Sequence, residues 1–126
     1  MTNEIEFAPQ FILPILEGRK TQTTRIHDRF GDVGDFLTVD GGECYGLRLQ
    51  ITGKCKKHLK NLNFIEINQE GFITLQKFME FWDSLYGGTV WRSQNNPEVI
   101  IIDFKIILRW FDRQWMERIR SEKGLF

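Results

Sequence analysis

The sequence predicts a mixed α and β domain built on a mostly antiparallel sheet or barrel, and three observations carry this. Short β-branched or alternating runs outnumber the helical stretches. Two of those runs, Phe36 to Val39 and Tyr45 to Thr52, flank Asp40-Gly41-Gly42-Glu43, a strong hairpin signal. One segment after Thr74 repeats apolar residues at helical spacing, and no internal repeat or low-complexity stretch interrupts the chain. A length of 126 residues suits one domain, and eleven Phe and four Trp supply a core that needs no staples.

Taken in order, Ile5 and Phe7 alternate with Glu4 and Glu6, which predicts a short opening strand. Pro9 suits the first position of a helix running through Ile12, Leu16 and Glu17, and Gly18 closes it. Pro14 removes one backbone donor, so that helix is expected to kink or to begin again there. Thr21-Gln22-Thr23-Thr24-Arg25 reads as a strand, and Gly31-Asp32-Val33-Gly34-Asp35 as a turn. In the second hairpin strand Leu47, Leu49 and Ile51 point one way, while Arg48, Gln50 and Thr52 point the other.

Thr74 caps a helix with Leu75, Phe78, Met79, Trp82, Leu85 and Tyr86 on its apolar stripe, and Gly87-Gly88 stops it. That stripe is core packing. After the polar loop Trp91 to Pro97, Glu98 to Leu108 is a long β-branched strand, central because both its faces are apolar. A terminal helix follows, with Leu108, Phe111, Trp115 and Ile119 on one side. The expected division is a domain over residues 1–108 and a helical extension over 109–126 that packs on it or on another subunit.

Seventeen basic residues balance seventeen acidic ones, so no global field draws in a polyanion, and any nucleic-acid contact must be local. The cations do cluster, as Arg19, Lys20, Arg25 and Arg29; as Lys54, Lys56, Lys57 and Lys60; and as Arg109, Arg113, Arg118 and Arg120. Each cluster alone reads as an ordinary solvated face. Cys44 and Cys55 do not form a disulfide framework, and with no signal segment opening the chain a reducing cytoplasm is the expected compartment. The most apolar run, from Val99, is broken by Asp103 and Lys105 and is too short for a membrane span. Cys44, Cys55, His27 and His58 lack paired metal-ligand spacing, so neither a metal nor a cofactor is expected, and both cysteines read as small buried residues. Nothing in the sequence sets an oligomeric state.

Chemistry concentrates between Gly18 and Arg25. A glycine turn delivers Arg19 and Lys20 beside several hydroxyls, with Arg25 further along the strand, a ready binder of anions or carbonyls. A lysine held near other cations or partly desolvated loses proton affinity, which would make Lys20 a base for a nearby hydroxyl; composition alone leaves open whether it is one. The serine-elbow, phosphate-loop and zinc-protease motifs are absent.

The run Ile15-Leu16-Glu17-Gly18-Arg19-Lys20-Thr21-Gln22-Thr23-Thr24-Arg25 resembles the signature of ASCH domains, in which Gly-x-Lys, a polar residue three positions after the Lys, and a final Arg recur. The resemblance continues more loosely through Gly31-Asp32, the Leu47 to Thr52 strand, Gln69-Glu70-Gly71-Phe72 and Val99 to Phe104. It implies an α+β, PUA-like fold, a mostly antiparallel β-barrel with flanking helices and a pocket beside the signature, and an association with RNA. Many members carry Glu where this chain has Thr23; Thr at that slot is similar to the small bacterial 4-acetylcytidine amidohydrolases, which pair a Lys, a Thr and a Glu.

Carried onto this chain, the resemblance implies Lys20, Thr23 and Glu70 as catalytic residues, and RNA or a modified nucleoside as the partner. Arg19, Lys20, Arg25, Tyr86 and Trp91 are the expected ligand contacts. Recognition of RNA or a modified nucleoside, hydrolysis of an acylated nucleoside, and protein binding through the terminal helix all stay open. Strict alternation would put Lys20 and Thr23 on opposite strand faces, so their convergence requires Lys20 to lie in the turn after Gly18.

Overall fold

The computed structural model describes residues 2–40, 47–85, 97–107 and 117–118. Five strands, β1 (Thr2–Ile5), β2 (Gln22–Arg25), β3 (Phe36–Val39), β4 (Arg48–His58) and β5 (Glu98–Ile106), form one mixed sheet in the order β1-β3-β4-β5-β2. Among the described residues the helices α1 (Ile12–Leu16), α2 (Phe64–Gln69) and α3 (Leu75–Leu85) complete an α+β fold. The β1/β3 pair is parallel and the other pairings are antiparallel.

β5 lies between β4 and β2 and is buried on both faces, as its continuous apolar run predicts. Ile100, Ile102 and Phe104 join Leu37, Leu49 and Ile51 in one core cluster, while Val99 and Ile101 join Phe78 and Trp82 in a second. Phe72 and Phe81 pack against both clusters and tie them together. Full burial of a ring such as Phe78 contributes about 1.5–3 kcal/mol.

The sheet does not close into a barrel. Its outer strands, β1 and β2, have four residues each, and no backbone ladder joins them. A side chain spans the seam instead, with Arg25 Nη2 donating to the carbonyl of Glu6, 2.7 Å away and just past β1. Among the described residues neither outer strand has a partner along its far edge, and the cavity described below lies beside β2.

Other local expectations shift for identifiable reasons. Phe7 lies beyond β1 rather than in it. Pro9–Phe11 forms a 3-10 turn and α1 restarts at Ile12, so Pro14 sits in its first turn, where the missing N–H has no intrahelical acceptor to lose. β4 runs on to His58 past a bulge between Ile51 and Gly53, and in this extension Cys55 is exposed, not buried. Along α3 only Phe78 and Trp82 are fully buried; Leu75 and Leu85, in its end turns, are exposed. Thr74 caps α3 as expected, its hydroxyl accepting from the Lys77 N–H at 3.2 Å.

The short helix α2 has no counterpart among the elements the sequence predicts. Asn63 and Glu66 form a capping box at its start, each side chain accepting from the other's backbone N–H. The hairpin turn, Cys44, Tyr86, Gly87-Gly88, Trp91 and all of the 109–126 extension except residues 117–118 lie outside the described residues. Among the described residues no helix is long and apolar enough to cross a membrane.

Candidate functional site

Two helix ends bring the site together. At the end of α1, Gly18 adopts φ 77°, and the N–H groups of Arg19 and Lys20 both donate to the Pro14 carbonyl at 2.9 Å. Lys20 therefore lies in a turn ahead of β2, the placement that convergence with Thr23 requires. Thr21 then ties this turn to α2 through its N–H, 2.9 Å from the Gln69 carbonyl. Glu70 is the C-cap of α2, and Gly71 follows at φ 99°. A Cβ at Gly71 would meet the Lys20 Cβ only at an ordinary 3.4 Å, so it is the positive φ that calls for glycine here.

Lys20 and Glu70 form a buried ion pair, with side chains 3% exposed each and Nζ to Oε2 at 3.1 Å. Lys20 Nζ also donates to the carbonyls of Gln22 and Glu70, both at 2.8 Å, and lies 4.4 Å from the Phe11 ring centre. The Glu70 Oε1 atom accepts from Gln22 Nε2 at 3.2 Å and from the Thr24 hydroxyl. Burial lowers the Lys20 pKa from that of an ordinary lysine; Glu70 opposes that shift, and Arg25 adds to it.

Thr23 and Arg25 share the other face of β2, where Arg25 Nε donates to the Thr23 hydroxyl at 3.0 Å. The Arg25 guanidinium stands 5.3 Å from the ring centres of both Phe7 and Phe30. Because β2 is an outer strand, a cavity of about 320 Å³ wraps its free edge and touches residues of both faces. Glu6, Lys20, Thr23, Thr24, Arg25 and Glu70 supply its polar lining; Phe7, Phe11, Phe72, Phe81 and Trp82 are among its walls.

Of the expected site residues, Lys20, Thr23, Arg25 and Glu70 thus line one cavity. Arg19 is turned to solvent and paired with Glu17 at 3.0 Å. Tyr86 and Trp91 lie outside the described residues. Lys54 does not form a free basic patch: Asp28 and Asp32 hold it at 2.6 and 3.2 Å. Among the described residues no group of three or more His, Cys, Asp or Glu is placed to hold a metal ion.

Sequence reasoning missed Gln22 and Thr24, which contact the Glu70 carboxylate directly, and the phenylalanine walls. The Asn63 and Glu66 capping signal was present and locates α2, which presents Glu70. No signal in the sequence pairs Gln22 or Thr24 with a residue more than forty positions away.

No family model matches the sequence, and no curated protein matches it. Solved structures do. An ASCH domain from Lactobacillus crispatus aligns at a TM-score of 0.69 over 83% of this chain and 79% of that one, at 14% identity. An Enterococcus faecalis protein aligns at 0.64 over 85% and 80%, at 12% identity. The ASCH protein of Zymomonas mobilis aligns at 0.58 over 93% and 94%, at 11% identity. Identities this low speak to the fold.

Proposed function

From the fold shared with ASCH domains, we propose that this protein recognises a modified nucleoside, free or unpaired within RNA, by taking its base into the cavity at the sheet seam. One observation carries the reading: a buried, hydrogen-bonded Lys20–Glu70 pair lines a cavity whose walls are aromatic. Its volume of about 320 Å³ lies at the small end of ligand sites. Aromatic walls stack on a planar heterocycle of any identity, and convergent polar groups at one end read its edge. A net charge of zero suits a ligand whose recognition does not depend on neutralising phosphates.

Calorimetric titration tests this with 4-acetylcytidine, cytidine and a short single-stranded RNA carrying the same base. Saturable binding that Lys20→Ala abolishes is the expected result. Binding of RNA alone, weakening steeply with salt and indifferent to Lys20, overturns the cavity as the site.

A second reading, hydrolysis of an acylated nucleoside by Lys20, Thr23 and Glu70, is favoured by the lowered pKa of Lys20 beside two hydroxyls. In that reaction the deprotonated form of Lys20, reached by loss of one proton from the ammonium, takes the Thr23 proton, the hydroxyl oxygen attacks the amide carbonyl, and the amine leaves with a proton relayed by Glu70. Water then hydrolyses the acyl ester, releasing the carboxylic acid and restoring Thr23. Chromatographic assay for cytidine released from 4-acetylcytidine decides it: turnover lost in both Lys20→Ala and Thr23→Ala supports hydrolysis, and tight binding without turnover leaves recognition as the function.

A further inference from the structure

We infer that the main chain of Thr24 reads the base: its N–H donates to an acceptor on one edge of the ring, and its C=O accepts from the donor beside it. The inference rests on the nucleoside reading above and names the group in the cavity that pairs with the ligand. β2 bonds to β5 through alternate residues, as an antiparallel strand does. The phase is fixed by the Phe104 N–H, which donates to the Thr21 carbonyl at 2.9 Å. Thr23 and Arg25 therefore turn their backbone N–H and C=O towards β5, whereas Gln22 and Thr24 turn theirs away from it. The Gln22 carbonyl bears this out, since the cavity group Lys20 Nζ reaches it at 2.8 Å.

Among the described residues none bonds the Thr24 N–H or C=O; only its hydroxyl is bonded, to Glu70. The cavity lies on that side. Thr23, Thr24 and Arg25 all line it, and because consecutive strand side chains alternate in direction, what the three share is the edge of the strand. A peptide strand adding itself here would need an open pair at every second residue. Lys20 fills the Gln22 carbonyl and Arg25 bridges to Glu6 at the other end, so the opening has the width of one base edge. The charged lining groups add single contacts: Glu6 and Glu70 only accept, and Lys20 and Arg25 only donate. Thr24 sets a donor and an acceptor side by side at fixed spacing. Cytidine meets that pair with its N4 hydrogen and N3, and uridine with its N3 hydrogen and O4. The pairing therefore does not choose between amino and oxo bases; it demands an unpaired base that keeps a hydrogen on that edge.

Amide hydrogen exchange of the whole chain, followed by NMR, tests it. The Thr24 N–H should exchange as an open amide in the free protein and slow by at least about tenfold on saturation with cytidine or uridine. Thr23 and Arg25, already bonded to β5, should change less. Calorimetry adds the ligand's side: N4,N4-dimethylcytidine and 3-methyluridine, which lack the edge hydrogen, should bind about ten- to hundredfold more weakly than their parents. Thr24→Pro removes the N–H at an outward-facing position of an outer strand, where proline is tolerated, and Thr24→Val removes only the hydroxyl. The proline variant should bind about tenfold more weakly than the valine variant. Saturable binding with Thr24 exchange unchanged, a Thr24 amide already protected in the free protein, or equal affinities for parent and methylated bases overturns the inference and leaves nucleoside binding intact. Should Thr24→Pro fail to fold by circular dichroism, exchange in the wild type decides. Absence of binding by cytidine, uridine and 4-acetylcytidine overturns the nucleoside reading itself, and the inference with it.

Discussion

A lysine ammonium removed from water survives because three oxygens and an aromatic face replace its hydration, and Lys20 has all of these. Burial still lowers its pKa below the ordinary 10.5, so between the folded value and 10.5 the unfolded chain binds more protons and stability rises with pH. Lys20→Met removes that rise and strands the buried Glu70 carboxylate, at a cost of about 3–5 kcal/mol. Urea unfolding at intervals from neutral to alkaline pH checks both effects. Asp103 behaves in the opposite sense. Burial raises its pKa above 3.8, with the Glu66 charge adding to the shift, and a Cβ on Gly53 would come within 2.7 Å of its carboxylate. The folded chain then holds the extra proton, so stability falls as pH rises from 3.8 through the raised value. Asp103→Asn is expected to raise the urea midpoint at pH 7 and to leave it unchanged well below 3.8, where Asp103 is protonated in both states.

At the scale of elements, the site depends on α2 docking its C-terminus against the turn before β2. Gly71 makes that docking possible, since its φ of 99° is unfavourable for any residue with a Cβ, and the Lys20 side chain lies directly alongside. Gly71→Ala should destabilise the protein by about 1–2 kcal/mol. It should also weaken nucleoside binding more than an equally destabilising core substitution does, which paired urea and calorimetric measurements will distinguish. The sequence signalled these elements unevenly, for physical reasons. The central β5 declared itself by an apolar run that burial on both faces demands. α2 has six residues, with Ile67 buried and Phe64 and Ile65 exposed, so no apolar periodicity marks it and only its capping box does. The far half of β4 lies beyond the strand predicted to end at Thr52, because Lys54, Lys56 and Lys57 read only as a solvated cationic face and the strand's order there comes from its ladder to β5. Within the site, the signature exposed Lys20, Thr23 and Arg25, and resemblance pointed to Glu70. Gln22 and Thr24 stayed illegible because their function comes from what α2 sets against them.

At the scale of the whole molecule, the sheet curls until its two free edges lie within reach of one side chain, and that side chain is Arg25. It donates to the Glu6 carbonyl across the seam and to Thr23 within β2, and it lies between Phe7 and Phe30. A guanidinium does all of this because it is planar and carries donors in a fixed fork; a lysine has one point charge at the same reach. Arg25→Lys should therefore loosen the seam without unfolding the sheet. Amide hydrogen exchange is expected to quicken along β1 and at Phe7, while Val99 to Phe104 in β5 stay as protected as in the wild type. Nucleoside affinity should fall as well, because Thr23 and Phe7 line the cavity and Arg25 positions both. If exchange instead rises uniformly across β1, β4 and β5, Arg25 stabilises the fold as a whole and the seam is not a separate unit. Quickened exchange confined to the edge places the ligand cavity at the least stable part of the sheet, where a base can enter without disturbing the core beneath it.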